Sequence, residues 1–261
     1  MEPSTLTAPT MLTRALEFQR ALDRSLATRV EDASWGTAIF RDDLPRVTDL
    51  NVAVVERVGG LDAAGLMSEA DRFQAGLPHR AVRVDEPDAA ARLAPGFAAA
   101  GWLVSRTALM LLRRSPDRPI DTSAVAEVDL DRIRIAREAA IGRVHRDLDV
   151  AAEALEVGAL QDDVARVRAY AALVGAEVAS YCLLRIGDGG AKLVEVQALA
   201  RSQGHGVGRA TIWAAVCGAR RERIAPVFVE CEDEEWAKSV YRRLGFDEAG
   251  KVYRFVRPWG D

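Results

Sequence analysis

The run Gln203-Gly204-His205-Gly206-Val207-Gly208-Arg209 stands between an apolar stretch, Leu193 to Leu199, and an amphipathic one, Ala210 to Ala219. Strand, Gly-rich turn and helix in that order bring backbone N–H groups and the positive end of a helix to one place, which suits a phosphate or pyrophosphate. The three glycines of this run remove the side chains that would block a ligand's approach. A dinucleotide fingerprint needs G-x-G-x-x-G/A. Counted from Gly204 its sixth position is Arg209, and from Gly206 it is Thr211, so neither frame fits. Glu230 ends the next apolar run, where a ribose-binding acid would stand, and this keeps a dinucleotide enzyme among the readings.

The pattern Gln203-x-x-Gly206-x-Gly208 resembles the acyl-CoA pyrophosphate loop, Q/R-x-x-G-x-G/A, of the GNAT superfamily of N-acyltransferases. Downstream, Ala237-x-x-x-Tyr241-x-x-x-Gly245-Phe246 resembles the GNAT segment N-x-x-A-x-x-L-Y-x-x-x-G-F, with Glu234 in place of Asn and Val240 in place of Leu. The two motifs in this order and spacing are more specific than either alone, and the resemblance covers about residues 121–261. It implies an α/β (α+β) fold, a mixed and mostly antiparallel sheet flanked by helices, and an N-acetyltransferase using acetyl-CoA without a metal. It also implies that the backbone of Gln203, Gly204, His205, Gly206, Val207, Gly208 and Arg209 anchors the pyrophosphate. Ala198, Leu199 and Ala200 would pair with the pantetheine arm and offer an oxyanion donor, with Arg201 and Arg209 adding charge.

Acyl transfer from a thioester to an amine needs the thiolate to gain a proton and the ammonium to lose one. Tyr241 is the candidate general acid, because a phenol of pKa ~10 matches a thiolate's basicity. Glu195 is the candidate base. Its neighbours Val194 and Val196 are apolar, so strand alternation turns Glu195 to the opposite face. The acidic run Glu230, Glu232, Asp233, Glu234 and Glu235 either attracts a cationic amine or is a solvated helix start. The alternative function is a non-catalytic acyl-CoA-binding or scaffold protein of the same fold.

A chain of 261 residues suits two small domains. Arg114-Ser115-Pro116-Asp117-Arg118-Pro119 reads as a linker. After it come helices over 129–140 and 150–160, then a meander, 167–174, 178–186 and 192–200, with Gly-rich turns. Strands at 227–230 and 252–257 follow. In the first half, residues 12–26 read as a helix, 35–40, 51–58, 81–84 and 106–112 as strands, and 88–100 as a helix ending at Gly101-Trp102. Phe97 stands four before Gly101 as Tyr241 stands four before Gly245, which suggests an internal duplication with a period of about 140 residues. The expected division is therefore a degenerate GNAT-like domain over 1–113 without a CoA loop, a linker over 114–120, and a catalytic domain over 121–261.

A net charge of -4 argues against nucleic acid as a partner, and no apolar run approaches the ~18–20 residues of a membrane span. Met1 to Thr13 lacks the order of a secretion signal. Cys182, Cys217 and Cys231 suggest neither disulfides nor zinc, and Cys182 and Cys231 read as core residues. The expectation is a cytoplasmic protein, monomeric as a pseudo-dimer or homodimeric, acting on a small-molecule or peptide amine.

Overall fold

The computed structural model describes residues 8–144, 148–199 and 206–258. The chain forms two compact units that interleave its sequence: residues 8–19 with 110–249, and residues 20–109 with 250–258.

The first unit contains the early part of α1 (Ala8–Leu26), then β6 (Val125–Val128), α4 (Leu130–Val144), α5 (Leu148–Val164), β7 (Arg166–Val174), β8 (Glu177–Gly187), β9 (Gly190–Ala198), α6 (Val207–Arg221), β10 (Val227–Glu232) and α7 (Glu235–Arg243). Strands β6, β7, β8 and β9 pair antiparallel in succession, and β10 joins β9 parallel. The tight β7–β8 turn is made by Gly175 at φ 62°, a conformation glycine adopts without strain. One sheet face carries α4, whose Ile133, Ala136 and Ala140 recur at helical spacing against Ala169, Ala171, Tyr181 and Leu183. These strand residues alternate, as one face of a sheet requires. Helix α6 covers the other face, with Thr211, Ile212, Ala215, Val216 and Ala219 buried. There Thr211 Oγ1 and Ser180 Oγ share a 2.5 Å hydrogen bond. Residues 8–19 belong here because Phe18 lies edge-on to Phe228, with centroids 5.4 Å apart, and Gln19 Oε1 accepts from Lys192 Nζ at 2.6 Å.

The second unit contains β1 (Arg29–Ala33), β2 (Gly36–Phe40), β3 (Val52–Val55), α2 (Ala63–Phe73), β4 (Arg80–Val84), α3 (Pro87–Ala99), most of β5 (Leu103–Leu112) and the outer part of β11 (Phe246–Arg257). Strands β1, β2 and β3 are antiparallel, and β4 joins β3 parallel. The core on one face gathers Trp35, Phe40, Val55, Leu66, Leu93, Phe97, Trp102 and Phe255. Phe97 stacks on Phe255 at 4.1 Å.

The element series β1-β2-β3-α2-β4-α3-β5 repeats as β7-β8-β9-α6-β10-α7-β11. Both series run antiparallel, antiparallel, then parallel. Gly101 follows α3 at φ 78° and Gly245 follows α7 at φ 91°, the left-handed residues that end each helix.

The compact units differ from the division read at 1–113 and 121–261. The reason is strand pairing: Tyr253 to Arg257 of β11 lie antiparallel to Arg80 to Val84 of β4, so the last strand groups with residues 20–109. The sequence reading also missed β1, β6 and α2. Strands β1 and β6 are short and mostly exposed, so they carry little apolar patterning.

Candidate active site

Strands β9 and β10 are in register only from Ala191–Leu193 to Val227–Val229. Beyond that point a cavity of about 950 Å³ opens in the first unit. Leu193 to Ala198 form one wall and Val229 to Glu232 the other. Gly206, Gly208, Arg209 and Ile212 of the α6 start close one end, and Trp236, Ala237, Val240 and Tyr241 of α7 line it further.

The α6 end is built for an anion. Gly206 is the N-cap at φ 79°, and it has no side chain to satisfy the first helical N–H groups. A Cβ on Gly208 would meet Ala198 Cβ at an ordinary 3.7 Å, so its glycine leaves room for something other than this chain. Arg209 Nη2 donates to Asp117 Oδ1 at 2.8 Å, while its Nε is buried without a hydrogen-bond partner among the described residues. An orphaned guanidinium N–H beside an uncapped helix start fits a phosphate group.

Ala200, Arg201, Gln203, Gly204 and His205 lie outside the described residues. Of the others expected at the donor site, Ala198, Gly206, Gly208 and Arg209 line the cavity. Leu199 packs against the core under α4, and its N–H is taken by Ala179 O at 2.9 Å. Val207 contributes its carbonyl to Thr211 Oγ1 at 2.9 Å.

Glu195 lies on an irregular stretch of β9. Val194 faces Leu183 and Gln197 faces Tyr181, so two residues of β9 oppose Cys182 alone. This is a β-bulge, and Glu195 takes φ 50° in it. The strict alternation used to orient Glu195 from sequence therefore fails at that residue, where both it and its valine neighbours line the cavity. A bulge also leaves one residue's backbone out of the ladder, free to serve a ligand. The carboxylate is held on two points by Arg137, Nε to Oε2 at 2.7 Å and Nη2 to Oε1 at 2.5 Å. Arg185 Nη2 approaches Oε1 at 3.4 Å, and Asp162 binds both arginines. Burial works against the Arg137 charge, yet Glu195 and Asp162 outweigh it and hold its pKa above the ordinary value. One acceptor position on Oε2 remains.

Tyr241 lines the same cavity and lies edge-on to Phe246 at 5.9 Å. Burial pushes its phenol well above the ordinary pKa, reinforced by the neighbouring Cys231 and Cys182. The hydroxyl thus keeps its proton through the neutral range and is available as a donor. Cys182 is fully buried as expected, but Cys231 lines the cavity, with burial raising its thiol to about 11. Sequence reasoning also missed Arg137, Asp162 and Arg185, which converge from three separate elements, and Arg118 of the linker, which reaches the cavity. Among the described residues no group of three His, Cys, Asp or Glu is placed to hold a metal, and no helix is long and apolar enough to cross a membrane.

In the second unit a cavity of about 750 Å³ lies instead against Trp35, Arg57 to Leu61 and Phe73, and among the described residues β3 and β4 do not part as β9 and β10 do. Strands β3 and β4 stay paired through Val55 and Val84, and Asp85 N–H continues the ladder to Val55 O at 2.9 Å. The α2 start is capped by its own Asp62, whose Oδ1 accepts from Gly65 N–H at 2.8 Å, so an anion is already in place. Phe97, at the place matching Tyr241, is fully buried in the core.

No protein-family model matches the chain, and no curated protein matches it. Solved structures do. A GCN5-related N-acetyltransferase from Kribbella flavida is similar at 17% identity with a TM-score of 0.67, covering 96% of both chains. A functionally unknown conserved protein from Staphylococcus epidermidis gives 15% identity and a TM-score of 0.67, covering 90% of this chain and 95% of that one. A tandem GNAT protein from the clavulanic acid biosynthesis pathway gives 13% identity and a TM-score of 0.55, covering 98% of both. The chain has the GNAT fold.

Proposed function

We propose that this protein is an N-acetyltransferase, moving the acetyl group of acetyl-CoA directly to a primary amine of a small molecule or peptide. The observation that carries the reading is the cavity where β9 and β10 part, bounded at one end by the uncapped start of α6 with the unpartnered Arg209 Nε. Bound there, acetyl-CoA supplies an activated acyl carbon, a thioester. The amine nitrogen forms its bond to that carbon as the C–S bond breaks. The first turn of α6 and Arg209 hold the diphosphate, and Ala198 and the β9 bulge lie along the arm. Glu195 Oε2 takes the ammonium proton, directly or through a water. Tyr241 is the proton donor facing the departing thiolate. Arg137 is a positioning residue that fixes Glu195.

On this reading residues 1–113 and 121–261 are two copies joined by 114–120, and the first copy has lost its donor site to Asp62 and Phe97. The protein works in the cytoplasm without a nucleic-acid or membrane partner. Turnover of acetyl-CoA with a panel of amines, followed by thiol release and mass spectrometry of the product, tests the proposal. Amine-dependent release with an acetylated product supports it. Acetyl-CoA binding without turnover on any amine would instead make the protein an acyl-CoA-binding scaffold.

A further inference from the structure

The linker is part of the cavity wall. Asp117 N–H donates to Arg243 O at 3.0 Å at the end of α7, and Asp117 Oδ1 accepts from Arg209 Nη2 at 2.8 Å at the start of α6. Upstream, Arg113 N–H and Arg114 N–H both reach Gly245 O, and the Arg114 side chain pairs with Asp247 at 2.9 Å. These bonds hold the linker against both helices. The next residue, Arg118, is exposed and lines the cavity together with Arg209 and Arg243. Three arginines from three elements thus line the cavity around Asp117, whose carboxylate is bonded to Arg209 and whose N–H is bonded to the Arg243 carbonyl. No carboxylate among the described residues pairs with Arg118 or Arg243.

We infer that Arg118 binds the 3′-phosphate of the CoA donor, with Arg243 beside it. This rests on the proposed acetyl-CoA reading and goes beyond it. The diphosphate takes the helix start and the buried Arg209 Nε. The donor's other phosphate is a monoester dianion at the outer end of the molecule. Two exposed guanidiniums with no carboxylate partner among the described residues, Arg118 next in sequence to Asp117 and Arg243 bonded to Asp117 through its carbonyl, match that charge. The linker therefore reads the donor, and its role exceeds that of a tether.

Calorimetry on the full chain tests this with acetyl-CoA and its 3′-dephospho form as probes, against wild type, Arg118→Ala and Arg118→Lys. Wild type should bind the dephospho form roughly tenfold more weakly. Arg118→Ala should bind acetyl-CoA weaker by about fivefold to tenfold, bind the dephospho form like wild type, and regain part of the loss as Arg118→Lys. Arg118→Ala binding acetyl-CoA like wild type, or losing equally for both probes, overturns the assignment while leaving the acetyl-CoA reading intact. Wild type binding neither probe overturns both.

Discussion

Arg137 and Glu195 face each other as a two-point ion pair, guanidinium Nε and Nη2 against both carboxylate oxygens at 2.7 and 2.5 Å. Arg137 comes from α4 and Glu195 from the β9 bulge, so the pair fixes the direction of the carboxylate at the cavity wall. Glu195→Gln keeps the shape and removes the proton acceptor. The rate constant should fall about 10²–10⁴-fold with acetyl-CoA affinity retained. Arg137→Lys keeps the charge but loses the fork, and should cost about tenfold in rate through misplacement of Glu195. Steady-state kinetics on both variants checks this. A normal rate for Glu195→Gln would mean that water takes the ammonium proton.

Tyr241→Phe keeps the ring and its edge contact with Phe246 while removing the donor. The account expects a loss of about 10²–10⁴-fold in rate and little change in donor affinity. Because burial raises the phenol's pKa, no loss of rate from Tyr241 ionisation should appear as pH rises through the neutral range. Single-turnover rates against pH measure this. A full rate with only a lowered melting temperature would make the hydroxyl structural.

Much of this site was legible in the sequence because its parts are local. A Gly turn between strand and helix, and a Tyr four residues before a helix-ending Gly, are read along one chain segment. Gly206 takes φ 79° and Gly245 φ 91°, left-handed conformations that glycine adopts without strain. What was not legible depends on contacts across the fold. The bulge at Glu195 carries no composition signal, and it defeats period-2 reasoning at the residue where that reasoning mattered. Arg137, Asp162 and Arg185 are ordinary surface types until α4, α5 and β8 bring them together. Arg118 reads as linker polarity until Asp117 pins that segment to α6 and α7. The grouping of β11 with β4 was hidden because strand partners are set by the sheet and not by nearness in sequence.

Gly218 on α6 faces Tyr170 of β7, and a Cβ there would overlap the Tyr170 hydroxyl. Among the described residues that buried hydroxyl has no hydrogen-bond partner, and burial raises its pKa to about 12. Gly218→Ala should destabilise the protein by about 1–3 kcal/mol through overpacking. Tyr170→Phe should restore most of the loss, since it removes both the clash and an unsatisfied polar atom. A melting-temperature cycle over the two single variants and the double variant measures the coupling. Additive effects would contradict the contact.

His79 is buried, and its Nε2 donates to Asn51 O at 3.1 Å, which requires the neutral ring to carry its proton there. Burial lowers its pKa below the ordinary 6.5. The unfolded chain then binds more protons than the folded one between the two values. The His79 contribution to stability is full above pH 6.5 and is lost as pH falls through the lowered value. His79→Gln keeps a donor without titrating, so its melting temperature should fall less than that of wild type between pH 7.5 and 5 on a scale of about a unit either side of the histidine range. Equal falls would show that His79 does not set this dependence.

The central claim is that the cavity between β9 and β10 receives acetyl-CoA through the start of α6. Calorimetric titration of the full chain with acetyl-CoA, beside the same titration of Gly206→Asp, tests it most directly. Aspartate at this left-handed position places a carboxylate against the diphosphate. The account predicts saturable binding at one site by wild type, and binding lost in Gly206→Asp while circular dichroism stays unchanged. Equal affinity in the two proteins, or no binding by wild type, would contradict it.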